Sequence, residues 1–383
     1  LNAAAYYGLG CIYQLKKEWA NGANAFAKAL EINPELVHAY YLKGLMHVNQ
    51  RDHQKALEIW DKGKDVAARL NDIELQGMMT GNVGNVYHDM GQSQKAIPYQ
   101  EEALMLARLI HDKKQEERHL SNLGNSYKNI GQPGKAVELY DQGLAIARII
   151  PDKDFEERLL GNKSGALVDM GRYKEGIECG IAALLVAEAR GDSGAVASHA
   201  LNIGAAYANQ AIYPEALQFY QRALRIKRAE NDQRSVCSLL DNMGTVYKDM
   251  GEISTAIDTF QLALGVAREI PSKRHELKAL GSLGYAYSGW SEYAKANDYF
   301  HQALFLADSL GDKRMIGTYL GNIGVVHKKW GSFSKALDFL NRALQHDEHI
   351  SNPRGMVRHY TNMANIYEIR GDYLQALDLE KKA

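Results

Sequence analysis

The amino-acid sequence predicts an all-α fold, an α-solenoid of about ten helical hairpins. Three observations carry this. A pattern of small, aromatic and turn residues returns every forty residues along nearly the whole chain. The 383 residues include only 7 prolines, and no sustained alternation of β-branched residues of the kind strands require. Within most intervals two helix-forming stretches flank a glycine, and such a hairpin cannot bury its apolar face alone.

Taken in order, the first unit is the shorter one, 1–36, with Gly10 standing thirty-four residues before Gly44 and Pro34 near its end. The spacing then places units at 37–76, 77–116, 117–156, 157–196, 197–236, 237–276, 277–316, 317–356 and an incomplete 357–383, all in one array. The repeated segment reads NVGNVYHDMG from Asn82, NLGNSYKNIG from Asn122, NKSGALVDMG from Asn162, NIGAAYANQA from Asn202 and NMGTVYKDMG from Asn242. It continues as SLGYAYSGWS from Ser282, NIGVVHKKWG from Asn322 and NMANIYEIRG from Asn362. The chain opens at Leu1 without methionine and stops at Ala383 inside a helical pattern, so it reads as a fragment of something longer.

Each repeat position has a structural expectation. Gly84, Gly124, Ser164, Gly204, Gly244, Gly284, Gly324 and Ala364 let a first helix approach its partner closely, and the residue three later, as at Tyr87 or Tyr127, faces the core. The partner helix answers twelve residues on with Ala96, Ala136, Gly176, Ala216, Ala256, Ala296, Ala336 and Ala376. Gly91, Gly131, Gly171, Gly251, Gly331 and Gly371 suit a left-handed turn between the two helices. Asp72, Asp112, Asp152, Asp192, Asp232, Ser272, Asp312 and Asn352 are expected to cap the next first helix. Met90, Met170, Met250, Trp290 and Trp330, just before the turn, are expected in the core, as are the three cysteines, Cys11, Cys179 and Cys237.

These offsets resemble the tetratricopeptide repeat, over essentially the whole chain; the first unit has that repeat's usual length. The forty-residue units resemble those of LGN/Pins adaptors, and more loosely those of kinesin light chains and bacterial tetratricopeptide arrays. The consensus tryptophan early in the first helix is replaced, mostly by leucine, as at Leu120, Leu160 and Leu240. The resemblance implies a right-handed superhelix whose groove is lined by first helices, and a scaffold rather than an enzyme.

The candidate site is a column of carboxamides. Val83, Gly84 and Tyr87 fall within one sector of the first helix, and Asn82 points away from it. The same holds for Asn122, Asn162, Asn202, Asn242, Asn322 and Asn362, with Ser282 the exception. A carboxamide donates and accepts, so a row of them can grip the C=O and N–H groups of an extended peptide without reading its side chains. Arg118, Arg158, Lys278 and Arg358 stand four residues earlier on the same face, where they would favour an acidic segment. Small residues before the amide, Gly81, Ser121, Gly161, Gly281 and Gly321, would let a ligand backbone come close. The competing expectation is structural: the asparagines tie adjacent helices together through backbone carbonyls, with no ligand.

The other function classes fare worse. With 45 basic and 46 acidic residues there is no global charge to draw nucleic acid or an anionic membrane, and the tyrosines expected in the core cannot stack on bases. No phosphate-binding loop or nucleophile elbow is present, and His346 and His349 are three apart, the wrong spacing for a zincin pair. No catalysis and no cofactor or metal are expected. The odd, scattered cysteines predict a reducing, cytoplasmic setting. The expected partner is a protein or peptide with an acidic or extended segment. An alternative is a regulatory or sensing arm of a larger signalling protease or nucleoside triphosphatase.

Overall fold

The computed structural model describes residues 2–150 and 152–383. Every regular element among them is a helix, and the chain divides into two compact units, 1–195 and 196–383. The first holds α1 (Ala3–Leu15), α2 (Trp19–Ile32), α3 (Val37–Asn49), α4 (His53–Arg69), α5 (Ile73–Asp89), α6 (Ser93–Leu109), α7 (Lys113–Asn129), α8 (Pro133–Ile149), α9 (Lys153–Asp169) and α10 (Tyr173–Arg190). The second holds nearly all of α11 (Ser193–Asn209), then α12 (Tyr213–Ala229), α13 (Gln233–Asp249), α14 (Ile253–Glu269), α15 (Lys273–Gly289), α16 (Tyr293–Ser309), α17 (Lys313–Lys329), α18 (Phe333–His349), α19 (Pro353–Ile369) and α20 (Tyr373–Lys382). Odd-numbered helices are the first helices of hairpins, and even-numbered ones their partners. The breaks between hairpins fall at the cap residues, about four residues ahead of the unit boundaries expected at 77, 117 and onward.

Caps and turns follow from side-chain chemistry. Asp72, Asp112, Asp152, Asp192, Asp232, Asp312 and Asn352 each accept a hydrogen bond from a backbone N–H of the helix they precede. Ser272 departs from this pattern: its hydroxyl is engaged by His275 Nδ1 at 2.7 Å and leaves the helix without a side-chain cap. Gly91 has φ +74°, and the equivalent Ala211 and Ser291 keep the left-handed backbone, at +57° and +62°. The hairpin therefore imposes the turn even where a side chain opposes it.

Where a first helix has glycine at the small position of the repeat, that glycine is a socket. A Cβ on Gly124 would lie 2.5 Å from the Tyr140 ring, one on Gly244 2.6 Å from Phe260, and one on Gly284 2.6 Å from Phe300. The ring comes from the residue sixteen later, a relation that the repeat pattern did not bring out. Phe300 is 1% exposed, and burying such a ring stabilises by about 1.5–3 kcal/mol. The alanines twelve residues on are fully buried, as at Ala136, Ala256 and Ala296. The fifth hairpin exchanges the sizes: Ser164 takes the socket position, its hydroxyl donates to the Gly176 carbonyl at 2.6 Å, and buried Gly180 stands opposite.

Two core expectations need correction. Met90, Met170, Met250, Trp290 and Trp330 are exposed by about two-fifths to one-half, because they stand at the helix C-cap on the rim of the hairpin turn. Trp330 covers part of its surface by stacking on His327. Of the cysteines only Cys237 is buried, with burial pushing its thiol up to about 11; Cys11 and Cys179 are half-buried. All three are free thiols.

Candidate functional site

The amide positions lie on consecutive first helices at one register, since forty residues return the chain to the same point of the next hairpin. Their surroundings differ. In the first unit Asn82 is buried, although the helical wheel turns it from its own hairpin's core. Its Nδ2 has no hydrogen-bond partner among the described residues. Asn122 and Asn162 are half-buried, and Asn122 Nδ2 donates to Asn85 Oδ1 at 2.9 Å. In the second unit Asn202 is exposed and Asn242 half-buried. Asn322 is buried and donates to the Tyr285 hydroxyl at 2.8 Å. Asn362 accepts from Lys328 Nζ at 3.1 Å and donates to the Arg358 carbonyl of its own helix at 2.9 Å.

Three rungs thus reach the preceding first helix, part of what the structural expectation required, but through side chains rather than backbone carbonyls. The partners Asn85 and Tyr285 stand thirty-seven residues before their amides. That offset is the signal in the sequence that points to them. The departure at Ser282 has the same logic: its hydroxyl donates to Asp241 Oδ1 at 2.7 Å, beside a 2.9 Å ion pair between Lys278 and Asp241 Oδ2. A carboxamide has two N–H donors and an oxygen with two lone pairs, so one bond leaves most of its capacity.

The small residues preceding the amides serve packing. A Cβ on Gly81 would strike His119, one on Gly321 would strike His359, and one on Gly281 would lie 2.8 Å from the Tyr319 hydroxyl. At these three positions the next first helix occupies the space expected for a ligand backbone. Tyr319 OH there donates to the Leu277 carbonyl at 3.2 Å.

The flanking cations are in different states. Arg118 and Arg358 are exposed, and their guanidinium groups are unpaired among the described residues. Arg158 lies over the Phe155 ring, 4.7 Å from its centroid. Lys278 is held by Asp241. No hydrogen bond joins Arg118 to Asn122 or Arg158 to Asn162 among the described residues. Lys328, against Asn362, has its ammonium pKa lowered by burial and by Lys329.

Behind this face the first helices carry buried titratable groups. Glu117, 1% exposed, is pushed up to about 7, by burial first and then by Asp152, against Arg158 and Lys114. His119 is lowered to about 4 by burial, with Arg118 adding to it. In the ninth and tenth hairpins buried His359 Nε2 contacts Asp347 Oδ2 at 3.0 Å, and Gly317 and Gly355 leave room for that carboxylate. Burial lowers the His359 pKa against the pull of Asp347. Asp347 belongs to the HDEH stretch, and its packing role accounts for an acid there. No helix among the described residues is long and apolar enough to cross a membrane.

Comparison with known proteins places this arrangement. In fold the chain is similar to the apo form of RapI, with TM-score 0.64 at 14% identity over 91% of this chain and 96% of that one. It is also similar to the apo form of the quorum sensor NprR from B. thuringiensis, with TM-score 0.60 at 14% identity over 90% and 97%. A third is the signal transduction ATPase with numerous domains from Pyrococcus horikoshii, which carries a tetratricopeptide repeat sensor: TM-score 0.55 at 17% identity over 96% of this chain and 52% of that one. At these identities the likeness is one of fold. No curated protein matches in sequence. The sequence profile of the tetratricopeptide repeat matches residues 3–36, 75–149, 155–229 and 235–309, more than half of the chain. With its hairpins, sockets and caps at the repeat's positions, the chain belongs to the tetratricopeptide repeat family.

Proposed function

We propose that this scaffold binds an extended segment of a partner protein across its first-helix face, through the main chain of that segment. The carrying observation is the amide register. Asn202 and Asn242 occur at it on consecutive first helices with no side-chain hydrogen bond among the described residues, and with solvent access. Asn82, Asn122, Asn162, Asn322 and Asn362 extend the register in the two units, several with capacity already shared with the neighbouring helix. Arg118, Arg158 and Arg358 bias the face toward acidic segments, while Lys278 is already paired with Asp241. An adaptor and the sensing arm of a larger enzyme both require this face, and neither reading asks it to catalyse.

Each main-chain bond contributes about 0.5–1.5 kcal/mol net, so loss of two rungs weakens binding by roughly fivefold or more. The test is a cellulose array of extended acidic and neutral peptides, followed by calorimetry of the best binder on the full chain and on the Asn202→Ala, Asn242→Ala variant. The expected result is weaker binding with unchanged helicity and melting. Equal affinity in the variant would falsify the reading.

A further inference from the structure

In the first unit, the edge where one hairpin passes to the next carries a cleft that no amide of the register lines. Two open depressions, of about 700 Å³ and 460 Å³, share Leu70 and Asp72 as a common wall. Their floor is apolar, with Leu36, Leu70, Ile73 and Ile110. Leu70 stands at the C-cap of α4 and is 47% exposed. Around this floor are Glu35, Asp72, Glu74 and Asp112, and His38 is the one basic side chain in the lining among the described residues.

Capping explains part of this charge. Asp72 accepts from the Leu75 N–H at 3.0 Å, and Asp112 accepts from those of Lys114 and Gln115, each through Oδ1 alone. Glu35 and Glu74 are exposed, and neither carboxylate is paired among the described residues. The neighbouring cations do not neutralise them: Lys113 is held by Glu116 at 2.7 Å, and Arg69 and Lys114 lie outside the lining. The C-terminal ends of α4 and α6 meet the same edge and add the negative ends of two helix dipoles. The opposing positive ends, of α5 and α7, are the ones that Asp72 and Asp112 answer.

Folding alone gains little from this combination. Carboxylates gathered around exposed apolar side chains repel one another and leave that surface wet, unless a cation with an apolar body covers it. A small recess shares Ile73, Glu74 and Ile110 with the cleft, and Gln115 lines it. The Gln115 Oε1 is buried with no hydrogen-bond partner among the described residues, an acceptor suited to the N–H donors of a basic side chain. The repeat supplies an internal comparison. At the register of Glu74 the second unit has Arg234, Arg274, Arg314 and Arg354, all exposed, while the apolar C-cap persists at Ile270, Leu310 and Ile350. The same apolar edge thus carries opposite charge in the two units.

We propose that the cleft of the first unit docks a basic amphipathic segment of a partner protein. Its apolar side chains sit on Leu36, Leu70, Ile73 and Ile110, and its lysines or arginines meet Glu35, Asp72, Glu74 and Asp112. Charge complementarity chooses this occupant: the rim repels nucleic acid and anionic membrane, and the apolar floor adds what an exposed ion pair lacks. The amide register favours acidic segments, so the two surfaces are distinguished by the sign of the charge they bind.

The test titrates the full chain into three fluorescein-labelled peptides of one length, built from lysine and leucine, lysine and glycine, or glutamate and leucine. Anisotropy is expected to show the lysine-leucine peptide bound about tenfold tighter than either of the others. Glu35→Gln with Glu74→Gln is expected to weaken it about fivefold and to flatten its salt dependence, with helicity and melting temperature unchanged. Leu70→Asn, at an exposed C-cap, is expected to weaken it as well. Glu252→Gln with Glu269→Gln removes the same charge from the second unit and is expected to change nothing. Equal binding of the three peptides, unchanged affinity in the Glu35, Glu74 variant, or an equal loss in the Glu252, Glu269 variant would each overturn the proposal. So would self-association of the parent chain in sedimentation equilibrium that the Glu35, Glu74 variant abolishes, since a second copy would then be the occupant.

Discussion

The two units share one hairpin and place their charge differently. At the repeat position of Glu117 and Glu157 in the first unit, the second has Ala197, Cys237, Leu277, Gly317 and Val357; at that of His119 it has His199, Leu239, Ala279, Tyr319 and His359. The first unit thus buries two acids at the Glu117 register, Glu117 and Glu157, while the second keeps that register uncharged; at the His119 register both units bury histidines, His119 in the first and His199 and His359 in the second. On the surface the second residue of the first helix is an exposed arginine in α13, α15, α17 and α19 (Arg234, Arg274, Arg314 and Arg354), where the first unit has Glu74, Lys114 and Asp154. A repeat fixes backbone and sockets, and leaves each layer free to choose its polarity.

The largest effect should come from the sockets. Gly284→Val drives a branched side chain at the rigid Phe300 ring and is expected to destabilise by about 3 kcal/mol in urea unfolding. Gly84 faces Gln100 Cγ at 2.7 Å, the stem of a flexible side chain. Gly84→Val should therefore cost less, and an equal loss would show that the backbone rather than the ring sets the limit.

Next comes the buried acid. The Glu117 pKa is raised to about 7, so its stabilising contribution is complete below the unfolded carboxyl value, near 4.5, and is lost as pH rises through 7. Glu117→Gln is expected to stabilise the protein by about 1–3 kcal/mol at pH 8 and little at pH 5. His119 has the opposite sign. Its pKa is lowered to about 4, so stability is held above the unfolded imidazole value, near 6.5, and falls as pH drops through 4. Thermal melts across pH 4–8 should show both limbs in the parent, and only the acid limb in Glu117→Gln. A parent profile without the alkaline limb would contradict the buried-acid assignment.

The smallest effect separates the caps. Asp232→Ala should cost about 1 kcal/mol, whereas Ser272→Ala, with no cap bond to lose, should stay within about 0.5 kcal/mol.

Much of this was legible in the sequence because the repeat multiplies weak signals. One aspartate before a helix says little, but eight polar residues at one register identify the caps, and all but Ser272 form them. Its serine was diverted by His275, a neighbour that register alone does not weigh. The amides were found, but not their partners, because Asn85 and Tyr285 meet them across hairpins. Gly81 and Gly321 were assigned to a ligand for the same reason: the His119 and His359 rings that fill the space come from the next first helix. The methionines and tryptophans before the turn read as core because they are apolar and periodic, yet a C-cap residue projects at the rim.

The proposed binding stands on main-chain capture at Asn202 and Asn242. Its most direct test is a double-mutant cycle by calorimetry, combining ester-for-amide replacement at single positions of the best-binding peptide with the Asn202→Ala, Asn242→Ala variant. The account predicts that at least one ester weakens binding to the parent chain and leaves the variant unaffected, a coupling of about 0.5–1.5 kcal/mol. Esters that weaken both chains equally at every position would contradict it.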